Sequence, residues 1–457
     1  MINDTQNAKI DLIKKFLDYA NVADASYALL HYINEIIQDD KKKGECEKGD
    51  GQTFGATYNN HNSTYARAIE ARFNEDKVGD WCIPLTDKCF MEKDKITNND
   101  IAKIALDFKL SKRTKDFTNR FKLLKHQPNE VRVRGEKDSD GNYGFSATLF
   151  EDTQAVSTNS QYILVCRGTE SRDDFLTDHI LAEGGIPMQC YFLVKFYEEQ
   201  VRKQIGDIKL VVVGHSLGGY LAQSFCSMYP NRVAELYTFN SPGLYPDKKI
   251  TTSIQVVDKI IEFDAIKLYA TLNQEKLNNY MALSMFNRAR KSNYNEYVYN
   301  INNLVIEPQE IKEQYHQKIL LLQNGIQKSI NTDYAYLPES LKNIPIHHIK
   351  TDEDSNPNNN DYLKNFIQYL GEDIAGKHYY INLGVFSGSH FILPTIHSLQ
   401  KALMHMNSGN VDNLLEYNKI KDLKDESMFL RMNRNRKDEQ ISQMQANVFN
   451  SLQNLRY

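Results

Sequence analysis

The stretch Lys209–Gln223 constrains the fold of this chain more than any other part of the sequence. Its apolar run Leu210–Val213 is rich in β-branched residues, which is typical of a strand buried within a parallel sheet. The sequence Gly-His-Ser-Leu-Gly follows, with Ser216 at its centre. An amphipathic pattern over 219–229 then predicts a helix. The order strand, tight turn, helix therefore predicts an α/β sheet at this point of the chain.

In that context the G-x-S-x-G spacing predicts a nucleophile elbow. Ser216 is expected on a strained turn that lifts its hydroxyl above the sheet, with the Leu217 amide beside it. Gly214 and Gly218 are expected because a side chain at either position would collide with the neighbouring strand and helix. The helix N-terminus points at the same place, and its free N–H groups favour developing negative charge there. The same five-residue pattern also occurs in ordinary Gly- and Ser-containing turns, so the flanking strand and helix carry the prediction.

Composition excludes several classes of protein. The chain has 457 residues, 41% of them hydrophobic, and its 55 Lys and Arg against 59 Asp and Glu give a net charge of −4, which argues against a nucleic-acid partner. The N-terminal sequence lacks the pattern of a signal peptide, and the chain has no run of 18 apolar residues. We therefore expect a cytoplasmic location in the producing cell, with export without a cleaved signal as the alternative. Of the six cysteines, Cys166 and Cys226 are predicted to be core residues, and a Cys82–Cys89 disulfide is an option only for an exported protein.

Hydrophobic periodicity divides the chain into four regions, one of which consists of two segments. A mainly helical N-terminal region (1–125) is expected to pack on an α/β core (126–249 and 341–405), with a helical insertion or cap (250–340) and a polar helical tail (406–457). Helical patterns are found at 8–38, 63–75, 188–205, 366–374 and 391–404, and strand patterns at 143–150, 161–166, 234–240, 344–350 and 379–383. The short link after the first strand pattern predicts an antiparallel hairpin.

A serine nucleophile requires a base, and His390 is the leading candidate. It lies in the Gly- and Ser-rich segment Gly384–Phe391, after the last predicted strand. His397 is the alternative, although it falls inside a predicted helix and is expected to be packed. His347 and His348 lie within a strand pattern. The preference for His390 therefore depends on its position in a Gly- and Ser-rich segment after the last predicted strand.

The carboxylate that orients the base should follow a core strand. Asp354 and Asp352 both follow the strand pattern at 344–350, and we favour Asp354 while keeping Asp352 as the alternative acid. Asp264 is a more distant candidate. The same acidic segment resembles the start of a calcium loop, but Pro357 and Leu363 stand where such a loop needs Gly and Glu.

Two donors are expected to form the oxyanion hole: the backbone N–H of Leu217 and a group in the loop after an earlier strand. Arg167-Gly-Thr169 occupies that loop. The segments Val165–Asp178, Val213–Gly219 and Phe239–Gly243 together resemble the class 3 lipase family. The resemblance covers about 143–245 well and 344–400 less well, and it departs in the long interval before the acid-bearing strand and in Cys166.

The resemblance implies an α/β-hydrolase fold with a mostly parallel sheet, Thr169 as oxyanion residue, Ser216 as nucleophile, and Asp354 as the acid of a D-x-x-P sequence. It also implies a serine ester hydrolase acting on acylglycerols or phospholipids, with no metal or cofactor required. The Tyr-, Leu- and Met-rich pattern of 250–340 suits an acyl-chain site or contact with a membrane surface, although a pattern of this kind more often reflects plain core packing. The alternatives are a soluble esterase or acyltransferase on small esters, and a secreted phospholipase-type effector toxin with interaction helices.

Overall fold

The computed structural model describes residues 4–38, 46–73, 98–104, 106–128, 145–168, 189–244, 317–322, 324–325, 339–352, 373–382, 392–407 and 421–422. The strands are β1 (Ile36–Gln38), β2 (Cys46–Lys48), β3 (Thr57–Tyr58), β4 (His61–Asn62), β5 (Phe121–Gln127), β6 (Ala147–Asp152), β7 (Tyr162–Cys166), β8 (Leu210–His215), β9 (Val233–Phe239), β10 (Ile346–Asp352), β11 (Lys377–Asn382) and β12 (Lys421–Asp422). The α-helices are α1 (Asp4–Ala25), α2 (Thr64–Phe73), α3 (Asn98–Lys103), α4 (Lys112–Thr118), α5 (Gln189–Phe196), α6 (Arg202–Ile205), α7 (Leu217–Met228) and α8 (Ile392–Asn407). A π-helical segment, Tyr197–Val201, joins α5 to α6, and short 3-10 helices lie at Leu30–Ile33, Thr158–Ser160, Pro230–Arg232 and Glu339–Leu341.

The central sheet contains eight of the described strands in the order β12-β11-β10-β9-β8-β7-β6-β5. Strands β7 to β11 run parallel to one another, and β5, β6 and β12 are antiparallel to their neighbours. The carboxyl ends of five parallel strands therefore meet at one edge of the sheet, where the elbow lies. This is the arrangement expected of an α/β-hydrolase.

Helices cover both faces of the sheet, which explains the continuous apolar run in β8. All six residues of β8 are buried. Val212 packs in the cluster formed with α5 and α7, whereas Val211 and Val213 pack in the cluster formed with α1 and α8. A strand that is buried on both faces has no solvent side, so its sequence does not alternate.

Most of the predicted elements are present in the structure with small shifts of their ends. The predicted antiparallel hairpin is the β6–β7 pair. The helix predicted at 188–205 is found as α5, the π-helical segment and α6, and the strand predicted at 344–350 is β10. Cys166 and Cys226 are buried, as predicted.

Three local predictions were wrong. A helix was predicted over 8–38, but the observed helix α1 ends at Ala25, and Ile36–Gln38 forms a strand paired with β2. The sheet begins earlier than expected, at Phe121, because β5 pairs with β6. Within the tail, Lys421–Asp422 pairs with β11 as an edge strand where a helix was predicted, since the exposed edge of β11 offers backbone hydrogen bonds. Cys82 and Cys89, the optional disulfide of an exported protein, and nearly all of the 250–340 insertion lie outside the described residues.

Candidate active site

Ser216 occupies a backbone conformation that is rare for a residue with a side chain. Its φ is 55° and its ψ is −131°, between the end of β8 and the first residue of α7. Two backbone hydrogen bonds hold the turn: Ser216 N–H donates to Phe239 O at 2.9 Å, and Gly219 N–H donates to Ser216 O at 2.8 Å. The strain predicted for the elbow is therefore present at Ser216, and strained residues of this kind cluster at functional sites.

Close backbone contacts explain both glycines of the motif. A Cβ atom on Gly214 would lie 2.1 Å from Gly218 O, at the start of α7. A Cβ atom on Gly218 would lie 2.1 Å from Cys166 O, at the end of β7. Both contacts are far shorter than any real Cβ contact, so the prediction that side chains would collide here is confirmed.

The loop that follows β7 lies against the serine. A Cβ atom on Gly168 would lie 3.1 Å from the Ser216 Cβ atom. Leu217, whose amide is the predicted oxyanion donor, is the first residue of α7 and is buried. The side of the elbow expected to hold the oxyanion is therefore assembled from the ends of β7 and β8. Thr169, the other predicted oxyanion residue, lies outside the described residues.

The two strands that precede the predicted acid and base in the sequence end at the same edge of the sheet. Asp352 is the last residue of β10 and pairs with Asn382, the last residue of β11. Because β10 and β11 are parallel to β8, both strands end on the side of the sheet that carries Ser216. Asp354 and His390 come after these strands in the sequence and lie outside the described residues.

His397, the alternative base, lies in α8 with an exposed side chain. The expectation that it is packed was therefore wrong. In that helix Ile396 and Leu399 are buried against α1 and the sheet, and His397 falls on the other side of the helix.

A buried ionic cluster lies between β10 and α7, and the sequence patterns did not predict it. The Asp373 carboxylate contacts the Lys350 ammonium, and their side chains are only 3% and 4% exposed. Gln223 Nε2 of α7 donates to Asp373 Oδ1 at 3.1 Å, and His378 Nε2 lies 3.3 Å from Asp373 Oδ2. Lys350 and Asp373 flank the segment 351–372 that contains Asp354, so this pair joins the two ends of the segment with the predicted acid.

The charge states in this cluster follow from its contacts. Burial is the largest single influence on the pKa of Asp373 and raises it, but the Lys350 ammonium together with His348 and His378 lowers it more, so that pKa lies well below its usual range. Burial lowers the pKa of His348 to about 3, so this imidazole is neutral at pH 7. Its Nε2–H donates to Ile374 O at 2.8 Å, and its Nδ1 accepts from the Thr238 hydroxyl at 2.8 Å. The cluster therefore contains a buried ion pair, Lys350 with Asp373, beside the neutral His348.

The described residues contain neither a metal-binding cluster nor a helix suited to crossing a membrane. No three or more His, Cys, Asp or Glu side chains in the described part of the chain are arranged to hold a metal ion. None of the helices there combines the length and the apolarity that crossing a membrane requires.

The comparison with family models gives one match. Residues 118–276 match the Tle-like phospholipase domain, which is described as phospholipase-like. The matched region contains β5 to β9 and the elbow with Ser216. The match supports a lipase/phospholipase-like α/β-hydrolase family for this region. The family inferred from the sequence motifs is thereby confirmed at this level, and the phospholipase-like domain supports a hydrolase of lipid esters.

The chain is also similar to solved structures, at low identity and with low TM-scores. A lipase–propeptide complex from Rhizomucor miehei is 14% identical, with a TM-score of 0.24, and the match covers 59% of this chain and 58% of the lipase. A peroxisomal α/β-hydrolase from Saccharomyces cerevisiae is 12% identical over 70% of this chain and 99% of the other, with a TM-score of 0.26. Haloalkane dehalogenase DbeA from Bradyrhizobium elkani is 10% identical over 63% of this chain and 99% of the other, with a TM-score of 0.23. No curated protein matches the chain.

Proposed function

We propose that the chain is a serine carboxylic-ester hydrolase that acts on lipid esters, as a triacylglycerol lipase or a phospholipase A. The observation that carries this proposal is the strained turn at Ser216, set between a buried parallel strand and the N-terminus of a helix. The match of the surrounding region to a phospholipase-like domain supports a lipid ester as the substrate.

In the proposed mechanism Ser216 attacks the ester carbonyl carbon while His390 accepts its proton. Asp354 orients the imidazole, with Asp352 as the alternative acid. The Leu217 N–H and Thr169 stabilise the negative charge on the carbonyl oxygen, and His390 then returns the proton to the leaving alcohol. Water attacks the resulting acyl-enzyme in the second half of the reaction, with His390 again as the base. No metal or cofactor takes part.

The experiment is hydrolysis of a substrate panel: p-nitrophenyl butyrate, triacylglycerol, and phosphatidylcholine labelled in the sn-1 or the sn-2 chain. We expect Ser216→Ala to lower kcat about 10⁴-fold or more. The matched control is Ser224→Ala, because Ser224 is a buried serine in the same helix whose hydroxyl donates to Tyr220 O at 2.9 Å. Full activity in Ser216→Ala would contradict the mechanism, whereas cleavage of the butyrate ester alone would favour the soluble esterase.

The acid and the base have separate tests. We expect Asp354→Asn to lower kcat about 10³- to 10⁴-fold and Asp352→Asn to leave it nearly unchanged; the reverse result would assign Asp352. We expect His390→Ala to inactivate the enzyme and His397→Ala, on the exposed side of α8, to have little effect. Several further points stay predictions. They are contact with a membrane surface, the roles of the N-terminal region and of 250–340, and a cytoplasmic location or, as its alternative, export without a cleaved signal.

A further inference from the structure

Tyr27 comes from the N-terminal region and lies beside the elbow. It follows the end of α1, where its N–H donates to Asp24 O at 3.1 Å, and its side chain is 6% exposed. The ring lies between two guanidinium groups, with the Arg72 carbon 4.9 Å and the Arg167 carbon 5.9 Å from its centre. Asp24 binds Arg72 in turn, through a hydrogen bond of 2.7 Å. The position of the ring is therefore set by packing and cation–π contacts, independently of its hydroxyl.

The hydroxyl of Tyr27 bridges the ends of β7 and β8. Gly168 N–H donates to the tyrosine oxygen at 3.1 Å, and His215 Nδ1 lies 2.9 Å from the same oxygen. An N–H group can only donate, so the oxygen accepts from Gly168. The neutral His215 tautomer with its proton on Nε2 then lets the hydroxyl donate to Nδ1. One hydroxyl group thus connects the residue before Ser216 to the residue before Thr169.

The same contact leaves Gly168 no room for a side chain. The Gly168 N–H points at Tyr27, so it is turned toward the α1 side of the sheet. A Cβ atom on Gly168 would lie 2.5 Å from the tyrosine hydroxyl, 2.6 Å from His215 O and 3.1 Å from the Ser216 Cβ atom. The backbone of Gly168 therefore packs closely against Tyr27, His215 and the predicted nucleophile.

We propose that Tyr27 is a positioning residue for Ser216 and the Leu217 amide: one hydroxyl holds both His215, the residue before the serine, and Gly168, which lies against the serine. The inference rests on the proposed function. It assigns part of the site's geometry to the N-terminal region, more than 140 residues before Gly168 in the chain. An oxyanion donor acts only when it is placed to within a fraction of an ångström, so loss of the hydroxyl should lower the rate of the chemical step and leave substrate binding largely unchanged.

The test removes the hydroxyl and keeps the ring. We expect Tyr27→Phe to lower kcat for p-nitrophenyl butyrate about 10- to 100-fold while KM changes by less than about 3-fold. The rate of inactivation by a fluorophosphonate should fall by a similar factor, because its tetrahedral adduct places an oxygen in the oxyanion site. Titration with the same probe counts the functional enzyme, so kcat is expressed per folded molecule.

The matched control is Tyr65→Phe. Tyr65 is fully buried in α2, and its hydroxyl donates to Phe121 O at 2.7 Å, at the opposite edge of the sheet. This variant should lose thermal stability but keep kcat. His215→Asn is a second variant that removes one partner of the Tyr27 hydroxyl, and it should lower kcat about 3- to 10-fold.

The inference is overturned if Tyr27→Phe and His215→Asn both retain the kcat of the parent, or if Tyr65→Phe lowers kcat as much as Tyr27→Phe. If Tyr27→Phe does not fold, His215→Asn takes its place: a lower kcat than in Tyr65→Phe supports the role of Tyr27, and an equal kcat overturns it. Ser216→Ala shows whether the proposed function itself has failed. An inactive Ser216→Ala beside an unaffected Tyr27→Phe rejects only the role of Tyr27.

Discussion

The elbow lies at the N-terminus of α7 and the Asp373 cluster contacts the same helix at Gln223, yet the two regions are built in different ways. The elbow motif comes from one continuous stretch, Leu210–Met228, and its close contacts are between backbone atoms. The Asp373 cluster brings together side chains from α7, β9, β10 and β11, and its hydrogen bonds from Gln223 to Asp373 and from Thr238 to His348 join residues more than 100 positions apart. Backbone geometry specifies the first region and buried polar side chains specify the second.

The comparison shows where each kind of information is located in the sequence. A backbone turn needs particular residue types at fixed spacings, so it leaves a motif that can be recognised. A buried ion pair needs only two groups of opposite charge that meet after folding, so neither position differs in sequence from a surface Lys or Asp. The two regions should also respond differently to substitution.

The largest effect is expected at the elbow, from Gly218→Ala. The added methyl group would meet Cys166 O, a backbone atom of β7 that cannot move without displacing the strand. We expect a loss of more than about 5 kcal/mol, enough to prevent stable folding, measured by the yield of soluble protein and by circular dichroism. Gly325→Ala is the control, because a Cβ atom there meets nothing within 4 Å. A Gly218→Ala protein that unfolds cooperatively at the parent's Tm would contradict the explanation that the Cys166 backbone excludes a side chain here.

The next effect concerns the ionic cluster. Asp373→Asn leaves the Lys350 ammonium buried without its counter-charge, so we expect the free energy of unfolding to fall by about 3 to 5 kcal/mol in urea titrations. Asp11→Asn is the control, because Asp11 pairs with Lys14 at the surface, where the side chains are 71% and 56% exposed. That variant should change stability by less than about 1 kcal/mol. Equal losses in the two variants would show that burial does not distinguish the pairs.

The cluster should also give stability a defined dependence on pH. The pKa of Asp373 is lower in the folded protein than in the unfolded chain, so its contribution is complete above the unfolded value of about 4 and is lost as pH falls further. The reference is the double variant Lys350→Met/Asp373→Leu, which lacks both charges. Its difference in unfolding free energy from the parent should be constant from pH 8 to pH 5 and should change below about pH 4. A difference that stays constant as pH falls below 4 would argue against a depressed Asp373 pKa.

The smallest effect is expected from Thr238→Val, a substitution of similar shape. It removes the hydroxyl that donates to His348 Nδ1 at 2.8 Å and leaves that nitrogen buried without this donor. We expect a loss of about 1 to 3 kcal/mol in urea titrations, with kcat unchanged. An increase in stability would show that the hydrogen bond does not offset the cost of burying the hydroxyl.

Much of the fold could be predicted from periodicity. The strands β6 to β11 and the helices α2, α7 and α8 correspond to patterns in the sequence, because burial on one or both faces imposes a period or a continuous apolar run. The failures occurred where a strand is short or lies at an edge, as at Ile36–Gln38 and Lys421–Asp422. Two or three residues are too few to show a period, and their pairing depends on a partner strand that is distant in the chain.

For the candidate site, the sequence by itself predicted the strained turn at Ser216, its two glycines and a lipase/phospholipase-like family for this region. These residues stand within a few positions of one another and so form a motif that can be recognised, although the clash that requires Gly218 is with Cys166 O of β7. Only the tertiary structure placed the Tyr27 hydroxyl between Gly168 and His215, and only it joined Lys350 to Asp373. These contacts link residues that are distant in the chain and chemically ordinary, so they exist only once the sheet and its two helical layers have packed.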